Sequence, residues 1–210
     1  MLDRTGKPAA TYDGTFLPRG EADRLLSGIT ADRSSFRSGF MLVGGQWTKT
    51  PRLVAEFGDG VHIYPDAGPN ASWSSPLRGL RDRVEVGTGY RFNYAIVNWY
   101  RHGADFTGWH SDKMELHAPG SVIAMVSLGT SRRFEFRDLT TRVVVSSTEV
   151  GHGSLLVMGP ASQEGYEHSL RPDLEVTGKR VSITLREVLP TPSTCCPAYA
   201  ALTAGSRSGR

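Results

Sequence analysis

Cysteine is almost missing from this chain: its 210 residues hold two, the adjacent pair Cys195-Cys196. Neighbouring cysteines are too close for an ordinary structural disulfide, so a disulfide scaffold is excluded. A reducing cytoplasmic or nuclear setting is expected rather than secretion. Also lacking is any run of about 18 apolar residues, the length a helix needs to cross a bilayer, so no membrane partner is expected. The stretch 1–12 carries no apolar segment of the kind found in a secretory signal. No period of solenoid length recurs. Excess charge is slight, 24 Lys and Arg against 21 Asp and Glu, with a pI near 9.0. Such a balance permits a polyanionic partner without requiring one.

The length that is present suits one domain with a sizeable core. Residues 1–14 carry Gly, Pro and Thr without apolar periodicity and read as a flexible arm. Ala22, Leu25, Leu26 and Ile29 recur at helical spacing behind acidic residues, which predicts a short helix ending near Gly28. Pro76 opens a second helix with a stripe of Leu77, Leu80 and Val84. Between the helices, residues 36–47 suggest two strands joined by a turn, 50–59 another strand, 61–64 a short strand and 65–75 a loop. From Phe92 onward strand patterns dominate, at 92–100, 121–128, 133–137, 143–145, 154–158 and 179–187. The expected class is α+β: an antiparallel sandwich or jelly roll with helices confined to the N-terminal part. Residues 189–210 are rich in Pro, Ser, Thr, Ala and Gly and read as a disordered tail.

The chemistry centres on Trp109-His110-Ser111-Asp112. Side chains alternate along a strand, so His110 and Asp112 face one side and can share an ion. A second histidine from a distant strand would complete two-His-one-carboxylate coordination. That set leaves positions open and favours non-haem Fe(II) with O2 activation over a closed zinc site. His168 follows the strand pattern Leu155-Leu156-Val157-Met158 and is the candidate. Beyond it stand Arg180 and Arg186, also on one face of a strand. A guanidinium can fix the far carboxylate of a small dianion whose other end chelates the metal.

These stretches resemble the AlkB family of Fe(II)- and 2-oxoglutarate-dependent dioxygenases, closest to its DNA-repair type. The resemblance runs over residues 16–187 through Asn98-Trp99-Tyr100, Gly108-Trp109-His110-Ser111-Asp112, Ala118-Pro119-Gly120-Ser121 and Val126-Ser127-Leu128-Gly129. It continues through His152-Gly153-Ser154-Leu155, His168-Ser169-Leu170 and Arg180-Val181-Ser182-Ile183-Thr184-Leu185-Arg186, in order and at matching spacing. It implies a double-stranded β-helix over about 90–188 within a domain of 15–188, with a substrate lid over about 36–75. It also implies His110, Asp112 and His168 as iron ligands. Asn98, Tyr100, Arg180 and Arg186 would hold 2-oxoglutarate, Arg180 nearer its far carboxylate and Arg186 nearer the metal side.

The implied reaction is oxidative demethylation of bases of the 1-methyladenine and 3-methylcytosine type, in alkylated DNA or RNA, by a monomeric enzyme. Formaldehyde, succinate and CO2 would be released. A flipped base would lie against the His110 ring, with Tyr64 or His62 opposite and Trp47 in the lid. Repair-type members carry an acid four positions after the first ligand histidine; here Met114 stands there, beside Glu115, and a thioether is a poor acceptor for an exocyclic amine. Ser182 replaces a usual Asn. A small-molecule oxygenase acting on a nucleoside or amino-acid-like substrate is the alternative, and a silent nucleic-acid-binding module a further one.

Overall fold

A computed structural model describes residues 9–43, 46–59 and 71–189. Its strands are β1 (Ala10–Asp13), β2 (Arg37–Val43), β3 (Gln46–Gly58), β4 (Tyr94–Tyr100), β5 (Thr107–His110), β6 (Ile123–Gly129), β7 (Arg132–Asp138), β8 (Val144–Val150), β9 (Ser154–Met158), β10 (Tyr166–Leu170) and β11 (Arg180–Arg186). Its α-helices are α1 (Arg19–Ala31), α2 (Ser75–Thr88) and α3 (Ala161–Glu164), and Met114–Leu116 makes one 3-10 turn. A seven-stranded sheet runs β1-β9-β6-β11-β4-β3-β2, and a four-stranded sheet runs β5-β10-β7-β8. Every ladder between these strands is antiparallel.

Period-two alternation sorts each strand of the large sheet into two faces. On β11, Val181, Ile183 and Leu185 are wholly buried and join Leu17, Leu25, Leu77, Leu80 and Val84 in the cluster beneath α1 and α2. Burying each such aliphatic side chain contributes about 1.5–3 kcal/mol. The same alternation puts Ala95, Val97 and Trp99 of β4 and Ala124, Val126 and Leu128 of β6 into that layer. The opposite face meets the small sheet in a second cluster, where Tyr100, Ile123, Met125, Leu156 and Met158 pack on Phe134, Phe136, Val150 and Leu170. The antiparallel jelly roll with helical support is therefore present, and its two sheets enclose the chemistry.

Several boundaries differ from those expected. Residues 46–58 form one strand, not a hairpin arm followed by a separate strand, although Pro51 lacks a ladder donor. The β2–β3 register shifts between Ser38 and Phe40, jumping from Leu53 to Lys49 on the partner, so Pro51 sits in a bulge where no bond is needed. The arm assigned to 1–14 is ordered over Ala10–Asp13, which pairs with β9. Helices are not confined to the N-terminal part, since α3 follows β9. The strand expected at 61–64 and, apart from Leu189, the tail lie outside the described residues.

Gly103 locks the loop after β4 to the loop before β11. Its N–H donates to Val176 O (2.7 Å), and its carbonyl accepts from Asp173 N (2.9 Å). A Cβ there would lie 1.7 Å from Asp173 O, a contact only glycine avoids. Arg132, almost wholly buried, ties the same region together by donating to the carbonyls of Gly103, Asp105 and Arg171.

Candidate active site

The sheets part at one end to leave a cavity of about 440 Å³. From the large sheet β4 contributes Ile96, Asn98 and Tyr100, and β11 contributes Arg180, Ser182, Thr184 and Arg186. These are the in-facing halves of strands whose other halves make the outer core. From the small sheet come His110 on β5 and His168 on β10, residues paired across the ladder. Asp112 follows β5 directly, and the candidate ligand atoms of His110, Asp112 and His168 all lie within 4.8 Å of one another. Both histidines stand on strands, whereas Asp112, expected on one strand with His110, lies in the loop past the end of β5 and still reaches the same point.

The hydrogen bonds fix which atoms are free to meet an ion. His110 Nδ1 lies 2.8 Å from Gly108 O, so it carries the proton and Nε2 presents its lone pair. His168 Nε2 is 3.7 Å from Asp112 Oδ2. The His168 ring stacks on Phe134 at 5.4 Å and meets His110 edge-on at 4.3 Å. Burial, reinforced by His110, pushes the His168 imidazole down to about 3, which keeps it neutral and available as a ligand. Burial works the other way on Asp112, but Arg186 and both histidines outweigh it and hold the carboxyl well below the usual range. Arg186 Nη2 donates to Asp112 Oδ1 at 3.0 Å, while buried Oδ2 has no hydrogen-bond partner among the described residues. Two imidazole nitrogens and one free carboxylate oxygen suit a divalent ion with open positions, so this donor set fits Fe(II).

At the opposite end Arg180 is 1% exposed and still charged at neutral pH, since burial lowers it only to about 10. Its guanidinium stacks over Tyr100 at 5.2 Å and donates to Ser127 Oγ at 2.8 Å. Nε of Arg180 has no partner among the described residues. Tyr100 OH is tied to Thr107 Oγ1 at 2.8 Å. Asn98 Oδ1 accepts from Arg52 Nε at 2.8 Å, and Arg52 Nη1 donates to Phe106 O at 3.3 Å. The cavity therefore holds one buried cation beside Asp112 and another at its far end. A five-carbon dicarboxylate that chelates at one end can meet Arg180 at the other.

Not every expected residue is here. Met114 packs on the apolar cluster with Tyr100 and Ile123, and exposed Glu115 also does not line the cavity. Lys113, one position earlier, does. The expectation for Met114 rested on its place four positions after His110 in the family's pattern, and the 3-10 turn over Met114–Leu116 carries that position away from the cavity. Tyr64, His62 and the side chain of Trp47 lie outside the described residues. Gln163 was missed. Its Oε1 accepts from the backbone N–H of Asp112 at 2.9 Å, and Ser111 Oγ donates to Tyr166 O, so the α3 turn positions the ligand loop. A glutamine in a short turn leaves no pattern in the sequence.

The profile of the family described as "2OG-Fe(II) oxygenase superfamily" matches residues 44–186. The chain belongs to this superfamily. Its cofactors are those of the superfamily: Fe(II), 2-oxoglutarate and O2. Mouse "DNA oxidative demethylase ALKBH2" is 36% identical over 185 residues, 82% of this chain and 77% of the relative. The human protein of that name is 34% identical over 82% of this chain and 71% of its own length. Human "Alpha-ketoglutarate-dependent dioxygenase alkB homolog 3" is 34% identical over 91% of this chain and 70% of the relative. These relatives place this oxygenase in the AlkB family, as the motifs implied. The solved structure titled "The structure of OsALKBH1" shares the fold, with TM-score 0.63 at 15% identity over 86% of this chain and 99% of that one. No helix among the described residues is long and apolar enough to cross a membrane.

Proposed function

We propose that this dioxygenase removes N-linked methyl groups from alkylated nucleic-acid bases by oxidation, with His110, Asp112 and His168 as iron ligands. The observation that carries the reading is the cavity itself. Its two histidines and free carboxylate oxygen sit beside Arg186, with Arg180 at the far end, in a chain 34–36% identical to proteins named DNA oxidative demethylases.

When bound, the iron supplies O2 activation coupled to decarboxylation of 2-oxoglutarate. The chain's own groups position and neutralise. Arg180, desolvated and braced by Tyr100 and Ser127, binds the far carboxylate; Arg186 holds Asp112 and offsets charge at the metal side. Asn98, oriented by Arg52, and Tyr100, oriented by Thr107, offer polar contacts to the same molecule. Ile96, Met125, Phe134 and Leu170 keep the reaction space apolar, which strengthens each of these interactions.

Incubation of purified protein with Fe(II), ascorbate, 2-oxoglutarate and methylated oligonucleotides tests the reading. The expected result is one formaldehyde and one succinate per methyl group lost. Steady succinate formation with every oligonucleotide left methylated would contradict it and favour a small-molecule substrate.

A further inference from the structure

The charges on the cavity wall do not balance. Among the described residues, Asp112 is the only carboxylate lining the cavity, and it is committed to the metal and to Arg186. Four cations line the same space: Arg52, Lys113, Arg180 and Arg186. A 2-oxoglutarate dianion offsets Arg180 and Arg186, and Fe(II) with Asp112 leaves a further positive charge. Arg52 and Lys113 then remain. Arg52 spends its hydrogen bonds on neutral acceptors, Asn98 Oδ1 and Phe106 O, and neither Arg52 nor Lys113 forms an ion pair among the described residues. The substrate's part of the cavity is therefore positive and rich in donors, with no free anionic acceptor among the described residues.

Alkylated bases divide by charge. Methylation at adenine N1 or cytosine N3 adds a substituent to a nitrogen that bore no proton, giving a cation near neutral pH whose exocyclic amine donates hydrogen bonds. Methylation at thymine N3 or guanine N1 replaces a proton, so the base stays neutral and keeps a carbonyl on either side of the methylated nitrogen in thymine, or a carbonyl and an amine in guanine. A cationic base meets repulsion from Lys113 and finds no carboxylate for its amine; a neutral lactam offers acceptors to the ammonium and guanidinium.

Resting on the demethylase reading above, we propose that Lys113 is a specificity-determining residue and that this enzyme prefers neutral N-methyl lactam bases, of the 3-methylthymine and 1-methylguanine type, over cationic ones. The reaction is balanced for either class. One O2 and one 2-oxoglutarate are consumed per methyl group. One oxygen atom enters succinate as CO2 leaves, and the other joins the methyl carbon as its C–H bond is oxidised. The N-hydroxymethyl group then departs as formaldehyde as its C–N bond breaks; its hydroxyl proton ends on the ring nitrogen of a lactam and goes to solvent from a cationic base.

The test is a competition among four oligonucleotides of one sequence, each with a single 3-methylthymine, 1-methylguanine, 1-methyladenine or 3-methylcytosine, read by mass for the wild type and for Lys113→Glu. Binding of each to the Mn(II)- and 2-oxoglutarate-loaded protein under nitrogen, read by fluorescence anisotropy, gives a readout independent of turnover. The wild type should favour the neutral lesions by about tenfold, the scale of one partly screened charge contact, and Lys113→Glu should reverse the order in both assays. Equal or greater preference for cationic lesions in the wild type overturns the inference and leaves the demethylase reading standing. A uniform loss of affinity for all four in Lys113→Glu also overturns it, because it assigns Lys113 to the phosphate backbone. If no lesion loses its methyl group while 2-oxoglutarate is still consumed, the demethylase reading fails and the inference falls with it.

Discussion

Asp112 depends on a residue that touches neither metal nor substrate. Gln163 accepts its backbone N–H, and substituting Gln163→Leu leaves that donor buried without a partner. Metal affinity should fall roughly 10–100-fold, the usual effect of losing an outer support, when Mn(II) binding is titrated calorimetrically. Unchanged affinity would remove Gln163 from the positioning role. His117 gives a second check. Burial, with Arg186 nearby, lowers its pKa from 6.5 to about 4. The unfolded chain binds a proton there that the folded chain refuses, so stability rises with pH through this window. Its contribution is present above pH 6.5 and lost as pH falls towards 4, on the order of 3 kcal/mol at most. Denaturant titrations of metal-free protein at pH 7 and pH 5 should show this loss, and His117→Gln should shrink it. Both arginines were legible in the sequence because strand alternation aligns them, and the candidate ligands His110, Asp112 and His168 through their order and spacing, although Asp112 stands past the end of β5. Lys113, Gln163 and the displacement of Met114 were not, because each depends on how a turn redirects the chain after the alternation ends.

At the scale of elements, β11 serves both layers. Its odd-numbered residues Val181, Ile183 and Leu185 make the helix-side core, while Arg180, Ser182, Thr184 and Arg186 line the cavity. Ile183→Ala should therefore cost about 2–5 kcal/mol in urea denaturation, since the cavity it opens is covered on all sides. Its 2-oxoglutarate affinity, set by the other face, should stay within about threefold when measured well below the denaturation range. A large loss of affinity without loss of stability would contradict this division of faces. The strands that carry this alternation were visible in sequence, including β4, β6, β9 and β11. By contrast, β1 has an exposed surface at three of its four positions, so no apolar pattern marks it; only its pairing with β9 does. The length of β3 was hidden by Pro51, which ends a strand in most contexts and is tolerated here at a register shift.

For the whole molecule, two sheets and a helical layer hold eight separate stretches of chain around one cavity, and the family match over residues 44–186 covers them all. The class of reaction follows from that assembly, whereas the proposed choice of base rests on two cations of the cavity wall, Arg52 and Lys113. The most direct test of the account is methyl loss from single-lesion oligonucleotides, followed by mass, with wild-type protein and with Asp112→Ala. Wild-type protein should remove the methyl group only when Fe(II) and 2-oxoglutarate are both present, and Asp112→Ala should remove none. Methyl groups retained on every lesion by the wild type, or removed at an undiminished rate by Asp112→Ala, would contradict it.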